Sequence, residues 1–313
     1  MPEAVGLDIQ AGETASSTSY KARLISHHVR IKLGEREDGS VPLMVAMQGP
    51  QGCGKTTLCT SIKSLLEKES VRVAILSVDD LYLPYPRLKA LAESHPSNKL
   101  LSGRGQPGTH DLDLGSSVLK AVQTINHTGH PVHPIHLPIF DKSLNGGKGD
   151  RSEETILLSP RLDVFILEGW SMGFAPVEPA VLQDRYSEGQ SMEGLERPYF
   201  TSHSLQSLLT LNENLGAVAA ALYPPFTVFI QVQPSSLEHV FRWRLEQEHH
   251  MKSLNGGRGM TDEEVHAFVE RYMPGYELWG GGITTGDHAK TWRGNGYRLV
   301  YGKDREVIRT ETF

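Results

Sequence analysis

The stretch LMVAMQGPQGCGKTTL, residues 43–58, sets how the rest of the chain is read. Its first five residues, Leu43 to Met47, form an apolar run of strand length, and Leu58, Ile62, Leu65 and Leu66 follow at helical spacing. Between them lies a turn of the form G-x-x-x-x-G-K-[ST], built of Gly49, Pro50, Gln51, Gly52, Cys53, Gly54, Lys55 and Thr56, with Thr57 next. Backbone N–H groups can close round a phosphate only where side chains are missing, which accounts for glycine at 49, 52 and 54. The helix that opens after the turn aims its own unpaired N–H groups at the same anion. In such a loop the lysine, Lys55, reaches the β- and γ-phosphates, and the Thr56 hydroxyl holds Mg²⁺. The stretch predicts a nucleoside triphosphate site that also takes Mg²⁺.

The 313 residues suffice for one large α/β domain with a substantial core. A hydrophobic share of 38% and a charged share of 22% suit a soluble globular chain, and a net charge of −6 argues against nucleic acid as a partner. No apolar run approaches the roughly 20 residues of a membrane-spanning helix. Both cysteines, Cys53 and Cys59, lie in or beside the phosphate loop, where a disulfide would distort it, so reduced thiols in the cytoplasm (or the nucleus) are expected. Residues 1–18 carry neither a signal-peptide nor a transit-peptide pattern and read as a frayed tail before a single domain over residues 19–313.

Along that domain, Tyr20–Ile31 has weak helical spacing, and Arg72–Val78 is a second apolar strand ending at Asp79 and Asp80. A short helix over Leu88–Ala92, a glycine-rich loop over Gly103–Gly108, and a helix over Leu112–Ile125 follow. Next come a strand over Val132–Phe140 and a loop over Asn145–Asp150. Val164–Leu167 is a third strand, ending at Glu168. Pro176–Pro198 reads as a long surface insertion, and a helix runs over His203–Ala221. Phe226–Val232 is a fourth strand. Ser235 with Glu238, and Thr261 with Glu264, have the spacing of capping boxes. The chain closes on two short strands joined at Gly302-Lys303-Asp304. Strands alternating with helices predict a three-layer α/β fold with a mainly parallel sheet, whose ligands sit at the carboxyl ends of the strands.

Three of those strand ends carry chemistry: the phosphate loop, Asp79-Asp80, and Glu168. Phosphoryl transfer needs charge neutralisation, alignment and a group that takes the acceptor's proton. Asp79 is the expected base, with Asp80 the alternative; Glu168 is the expected Mg²⁺ ligand beside Thr56. Arg242 and Arg244, on one helix, are candidate lid cations over the phosphates. Arg104, His110 and Asp111 lie in a polar loop suited to a hydroxylated or carboxylated acceptor. His133 and His136 alternate along a strand without metal-ligand neighbours and read as structural. The segment KSLNGGKG at 142–149 returns as KSLNGGRG at 252–259, too short for a structural repeat.

The ordered series GPQGCGKTT, SVDDLYLP, RGQPGTHDLD, PIFDKSLNGGKGDR, LEGWSMGF and FRWRLEQEHHMKSLNGGRGMTDEEVHAFVERYMPGYE resembles the plant-type D-glycerate 3-kinases and their fungal ATP-dependent kinase relatives, kin of phosphoribulokinase, uridine kinase and pantothenate kinase. The resemblance implies a P-loop kinase fold with a helical lid near residues 242–262. It implies that Asp79 activates the acceptor hydroxyl, that Tyr82, Asp141 and Arg151 line the acceptor side, and that Glu168 is the acidic residue after the third strand. D-Glycerate is the acceptor it suggests. A nucleoside, a pantothenate-like compound or a slow ATPase switch are the alternatives; no N-K-x-D segment supports a GTPase.

Overall fold

The computed structural model describes residues 13–127, 134–192 and 197–313. Six strands form the central sheet in the order β2-β5-β1-β6-β7-β8. They are β1 (Leu43–Gln48), β2 (Val73–Ser77), β5 (Val164–Gly169), β6 (Val228–Pro234), β7 (Gly296–Tyr301) and β8 (Val307–Thr312); β8 alone pairs antiparallel. A separate antiparallel hairpin joins β3 (Ile135–Asp141) to β4 (Asp150–Leu158).

Burial on both faces explains the continuous apolar runs of the central strands. Leu43, Val45, Met47, Val164, Ile166, Val228, Ile230 and Val232 face one cluster, which the helices Thr18–Gly34 and Lys55–Lys68 complete. The alternate residues Met44, Ala46, Phe165, Leu167 and Phe229 face the other, filled by the helices Leu112–Thr124 and Leu205–Leu222. The strand period of two thus becomes three layers.

Several expectations are corrected. Residues 13–17 of the expected tail are held: the Val307 N–H donates to Ala15 O at 3.0 Å, and Arg23 pairs with Glu13. Ser235 and Glu238 form no capping box; the helix Glu238–Leu254 has Ser236 Oγ accepting the Glu238 N–H at 3.3 Å instead. Thr261 and Glu264 do form theirs. The insertion holds a helix, Pro179–Gln190, and the loop expected at Asn145–Asp150 is a tight turn that opens β4, a strand whose polar sequence hid it. Val132 and His133 lie outside the described residues, and His136 bonds Thr155 Oγ1 at 2.8 Å in the hairpin.

Asn212 ties the segment after β5 to the core. Its Oδ1 accepts the Val177 N–H at 2.9 Å and the Trp279 Nε1–H at 2.8 Å, and its Nδ2 donates to Val177 O at 2.8 Å. Asn212→Ala strands those buried groups and should cost about 1–3 kcal/mol. The measurement is the urea midpoint at unchanged slope; an unmoved midpoint would show that the tie is not needed.

Candidate active site

The phosphate loop leaves β1 and enters the helix Lys55–Lys68 through two left-handed glycines, Gly52 at φ +73° and Gly54 at φ +89°. Gly52 meets a second constraint. A Cβ there would sit 2.5 Å from the Trp243 carbonyl carbon and 2.7 Å from the Arg244 nitrogen, so the helix Glu238–Leu254 lies directly on the loop. At Gly49 a Cβ would come within 3.0 Å of Lys55 Cγ, because the lysine stem folds back over it. The loop is braced from outside. Arg305 donates through Nε to Gly52 O at 2.8 Å and through Nη2 to Trp243 O at 3.2 Å, and the Tyr276 hydroxyl donates to Gln51 Oε1 at 2.7 Å. Cys53 and Cys59 are buried free thiols, and burial pushes both pKa values up, so they stay protonated. Thr56 and Thr57 are exposed in the first helical turn.

Register brings the carboxylates to this loop. Glu168 pairs with Met47 on one side and Ser77 on the other, so it stands between the carboxyl ends of β1 and β2. Asp79 lies two residues beyond Ser77 in a 3₁₀ turn, with its N–H on Ser77 Oγ at 3.3 Å. Glu168 is 6% exposed, and burial raises its pKa against the pull of Lys55 and the Ser77 side chain. Burial alone would lower the Lys55 pKa. Negative charge from Glu168 and Asp79 opposes this. Asp79 is raised by burial, but the Lys142 ammonium 2.5 Å from Oδ2, the Tyr82 hydroxyl 2.8 Å from Oδ1 and the charge of Lys55 more than offset this and hold it low.

The expected acceptor-side residues divide into two groups. Tyr82 and His110 stay beside Asp79: their rings stack at 4.7 Å, and both ring nitrogens of the buried His110 lack a partner. Burial brings His110 down to about 4, so it is neutral. The others are engaged in building the wall. Arg151 donates to Tyr82 O at 3.0 Å and Asp111 Oδ2 at 3.1 Å, while Asp111 caps the helix Leu112–Thr124. Asp141 accepts from the Ser143 N–H and hydroxyl, Arg104 donates to Gly147 O and Lys148 O, and Asp80 accepts the Phe140 N–H at 3.0 Å. These bonds fix the β3–β4 hairpin against the turn that carries Asp79.

Neither candidate lid arginine stands free. Arg242 pairs with Glu246 and Asp304, and Arg244, 9% exposed, pairs with Glu248 at 2.7 Å beneath Phe268. Sequence reading missed Lys142, Arg305 and Tyr276. The echo at 142–149 marked Lys142's segment, but no local signal marked the other two.

No family model matches the chain. Individual relatives do. It is 37% identical over 242 residues to "Probable ATP-dependent kinase TDA10" of Saccharomyces cerevisiae, covering 76% of this chain and 78% of that one. D-glycerate 3-kinase from Cryptococcus neoformans superposes with a TM-score of 0.87 at 38% identity, over 94% of this chain and 99% of that chain. The chain belongs to the D-glycerate 3-kinase family of ATP-dependent kinases. It is a phosphotransferase with a nucleotide site on a mainly parallel sheet. The chloroplastic D-glycerate 3-kinase of Arabidopsis thaliana is 31% identical over 255 residues, 81% of this chain and 50% of that protein. Among the described residues no helix is long and apolar enough to cross a membrane.

The close approach at Gly52 gives a direct test of this kinase site. Gly52→Ala adds a methyl against the Trp243–Arg244 backbone at a left-handed φ, so loop or helix must shift. ATP affinity should fall at least tenfold by calorimetric titration; affinity within twofold of the parent would show that the contact yields freely.

Proposed function

We propose that the protein is a D-glycerate 3-kinase, transferring the γ-phosphoryl group of ATP to the 3-hydroxyl of D-glycerate. The observation that supports this best is the position of Asp79. It is an ionised carboxylate beyond the tip of β2, beside Glu168 and within the field of Lys55. Family membership supplies the acceptor.

In this reading the loop Gly49–Thr57 wraps the triphosphate, and Lys55 neutralises charge on the β- and γ-oxygens. The acceptor hydroxyl docks on Asp79, which takes its proton as the oxygen bonds to the γ-phosphorus and the β–γ bridge breaks, releasing ADP. A largely dissociative transition state needs the proton only late, so a carboxylate with a depressed pKa is base enough. Thr56 and Glu168 would hold Mg²⁺. The donor set fits: the Thr56 hydroxyl has no side-chain partner among the described residues, and a buried carboxylate whose pKa burial has raised gains from a counter-ion. Among the described residues no three His, Cys, Asp or Glu side chains form a cage, which suits an ion that keeps its waters and substrate phosphates. When bound, the ion neutralises charge on the bridging phosphates.

Residues 19–313 act as one kinase domain, and residues 242–262 cover the nucleotide. Arg244 would serve there by leaving Glu248 when ATP binds. Tyr82 and His110 contact the acceptor, while Arg104, Asp111, Asp141 and Arg151 place the hairpin that encloses it. The partner is this small molecule, without nucleic acid or membrane, and the two thiols suit the reducing cytoplasm.

Asp79→Asn should keep ATP affinity while transfer to D-glycerate falls by about 10²–10⁴-fold, the range for losing a general base. Coupled detection of ADP and 3-phosphoglycerate measures it, and a near-parental rate would remove Asp79 from the mechanism. Lys55→Ala should weaken ATP binding and abolish turnover in the same assay; unchanged ATP consumption would refute the phosphate-loop assignment.

A further inference from the structure

Asp79 has no vacant oxygen: Tyr82 fills Oδ1, and Lys142 Nζ lies 2.5 Å from Oδ2. The lysine is the first residue of the KSLNGGKG segment, and its side chain is 54% exposed. Exposed pairs of this kind add little to stability, so a stabilising role does not explain why a built structure delivers Lys142 to this one carboxylate.

That structure is specific. Asp141 Oδ1 holds the Ser143 N–H at 2.8 Å on one side of Lys142, and Asn145 turns left-handed at φ +51° on the other. Arg104 donates to Gly147 O at 2.8 Å, and Asp150 accepts the Tyr85 N–H at 2.9 Å, so the turn is moored to both neighbouring segments. The backbone of Lys142 is fixed, and only its four-carbon stem is free to swing.

Each Asp79 oxygen keeps one further lone pair, but an ammonium on Oδ2 competes with an acceptor hydroxyl for that oxygen and lowers its basicity. The exposed pair is weak, and a substrate anion within reach offers the ammonium a better partner than water does. We propose that Lys142 reads an anionic group on the acceptor: its ammonium passes from Asp79 Oδ2 to the carboxylate of a short hydroxy acid, and this exchange frees Asp79 for the acceptor's own hydroxyl. The class recognised is an acid whose carboxylate and reacting hydroxyl lie a few carbons apart, within one swing of the lysine stem. A neutral polyol of the same length lacks the group that draws the lysine off and leaves it competing for the base. Substrate charge thereby favours catalysis as well as binding.

The inference rests on the kinase reading above and deepens it, and the test separates the two. The parent protein, Lys142→Met and Lys142→Arg are assayed with ATP against acid and neutral pairs, D-glycerate with glycerol and pantothenate with pantothenol, and against uridine. The parent should prefer the acid of its pair. In Lys142→Met the KM for the acid should rise at least tenfold and the acid-over-neutral ratio of kcat/KM should fall at least tenfold, with the KM for ATP within twofold of the parent. Lys142→Arg should recover most of the preference. Equal losses on acid and neutral acceptors, or an unchanged ratio, would overturn the role of Lys142, leaving it a support for Asp79. Pantothenate used in place of D-glycerate, with the ratio collapsing in Lys142→Met, would overturn the glycerate reading and uphold this one. Uridine as the sole acceptor, or no parental turnover and no calorimetric binding of either acid to Asp79→Asn, would overturn both.

Discussion

A charged lysine inside a protein requires anions around it, and here parallel strand register supplies them. Lys55 folds over Gly49, where water cannot fully solvate it. Burial alone would lower its pKa; Glu168 and Asp79 in range oppose this. The same field works in reverse on Asp79, which stays ionised, while Glu168, the most enclosed of the three, is still pushed toward protonation by burial. Asp79 is held low first by Lys142 and Tyr82 and only then by Lys55, so the charge cluster reaches beyond the sheet to the hairpin. The mutual range of Lys55, Glu168 and Asp79 follows from Glu168 pairing with both Met47 and Ser77, so a slip of one residue in either ladder would turn Glu168 to the other face.

Around that charge cluster the chain uses rigid aromatic and arginine supports. Trp243 and Arg305 back the loop at Gly52, with the guanidinium 5.5 Å over the indole ring, and Tyr276 holds Gln51 from the side of the Trp170 cluster. These supports come from the helix Glu238–Leu254, the β7–β8 turn and the segment after Arg271, the last third of the sequence. The phosphate loop is therefore local in sequence but not in stability. Distant backbone closes on the left-handed Gly52, so the helix expected to act as a lid touches the loop there.

What was legible in the sequence follows the range of the forces involved. The phosphate loop, the apolar strands and the carboxylates at their ends were readable because backbone conformation and burial act over a few residues. That Glu168's strand lies between those of the loop and of Asp79 was not readable, since the order β2-β5-β1 is set by packing across the sheet. Strand β4 escaped because its edge is solvated and its sequence, DRSEETILL, carries no apolar alternation. Arg151 and Asp111 looked like two acceptor ligands and are one ion pair, because nothing in either local sequence reveals a partner forty residues away. Arg242 and Arg244 have partners that their helical spacing did offer: the i+4 carboxylates Glu246 and Glu248 engage both.

The two halves of the site are built by different means, and that difference bears on specificity. The phosphate side is part of the six-stranded sheet, where a changed strand residue disturbs the core cluster it faces, so chemistry common to all nucleotide users belongs there. The acceptor side is a two-stranded hairpin held by side-chain bonds at Asp80, Arg104 and Asp150. A hairpin of this kind can change its tip without disturbing the sheet behind it. Selection among acceptors therefore belongs at the tip, where Lys142 meets Asp79. The base is anchored to the sheet and its counter-charge to the hairpin, so the contact between them is a place where acceptor identity can act on transfer directly.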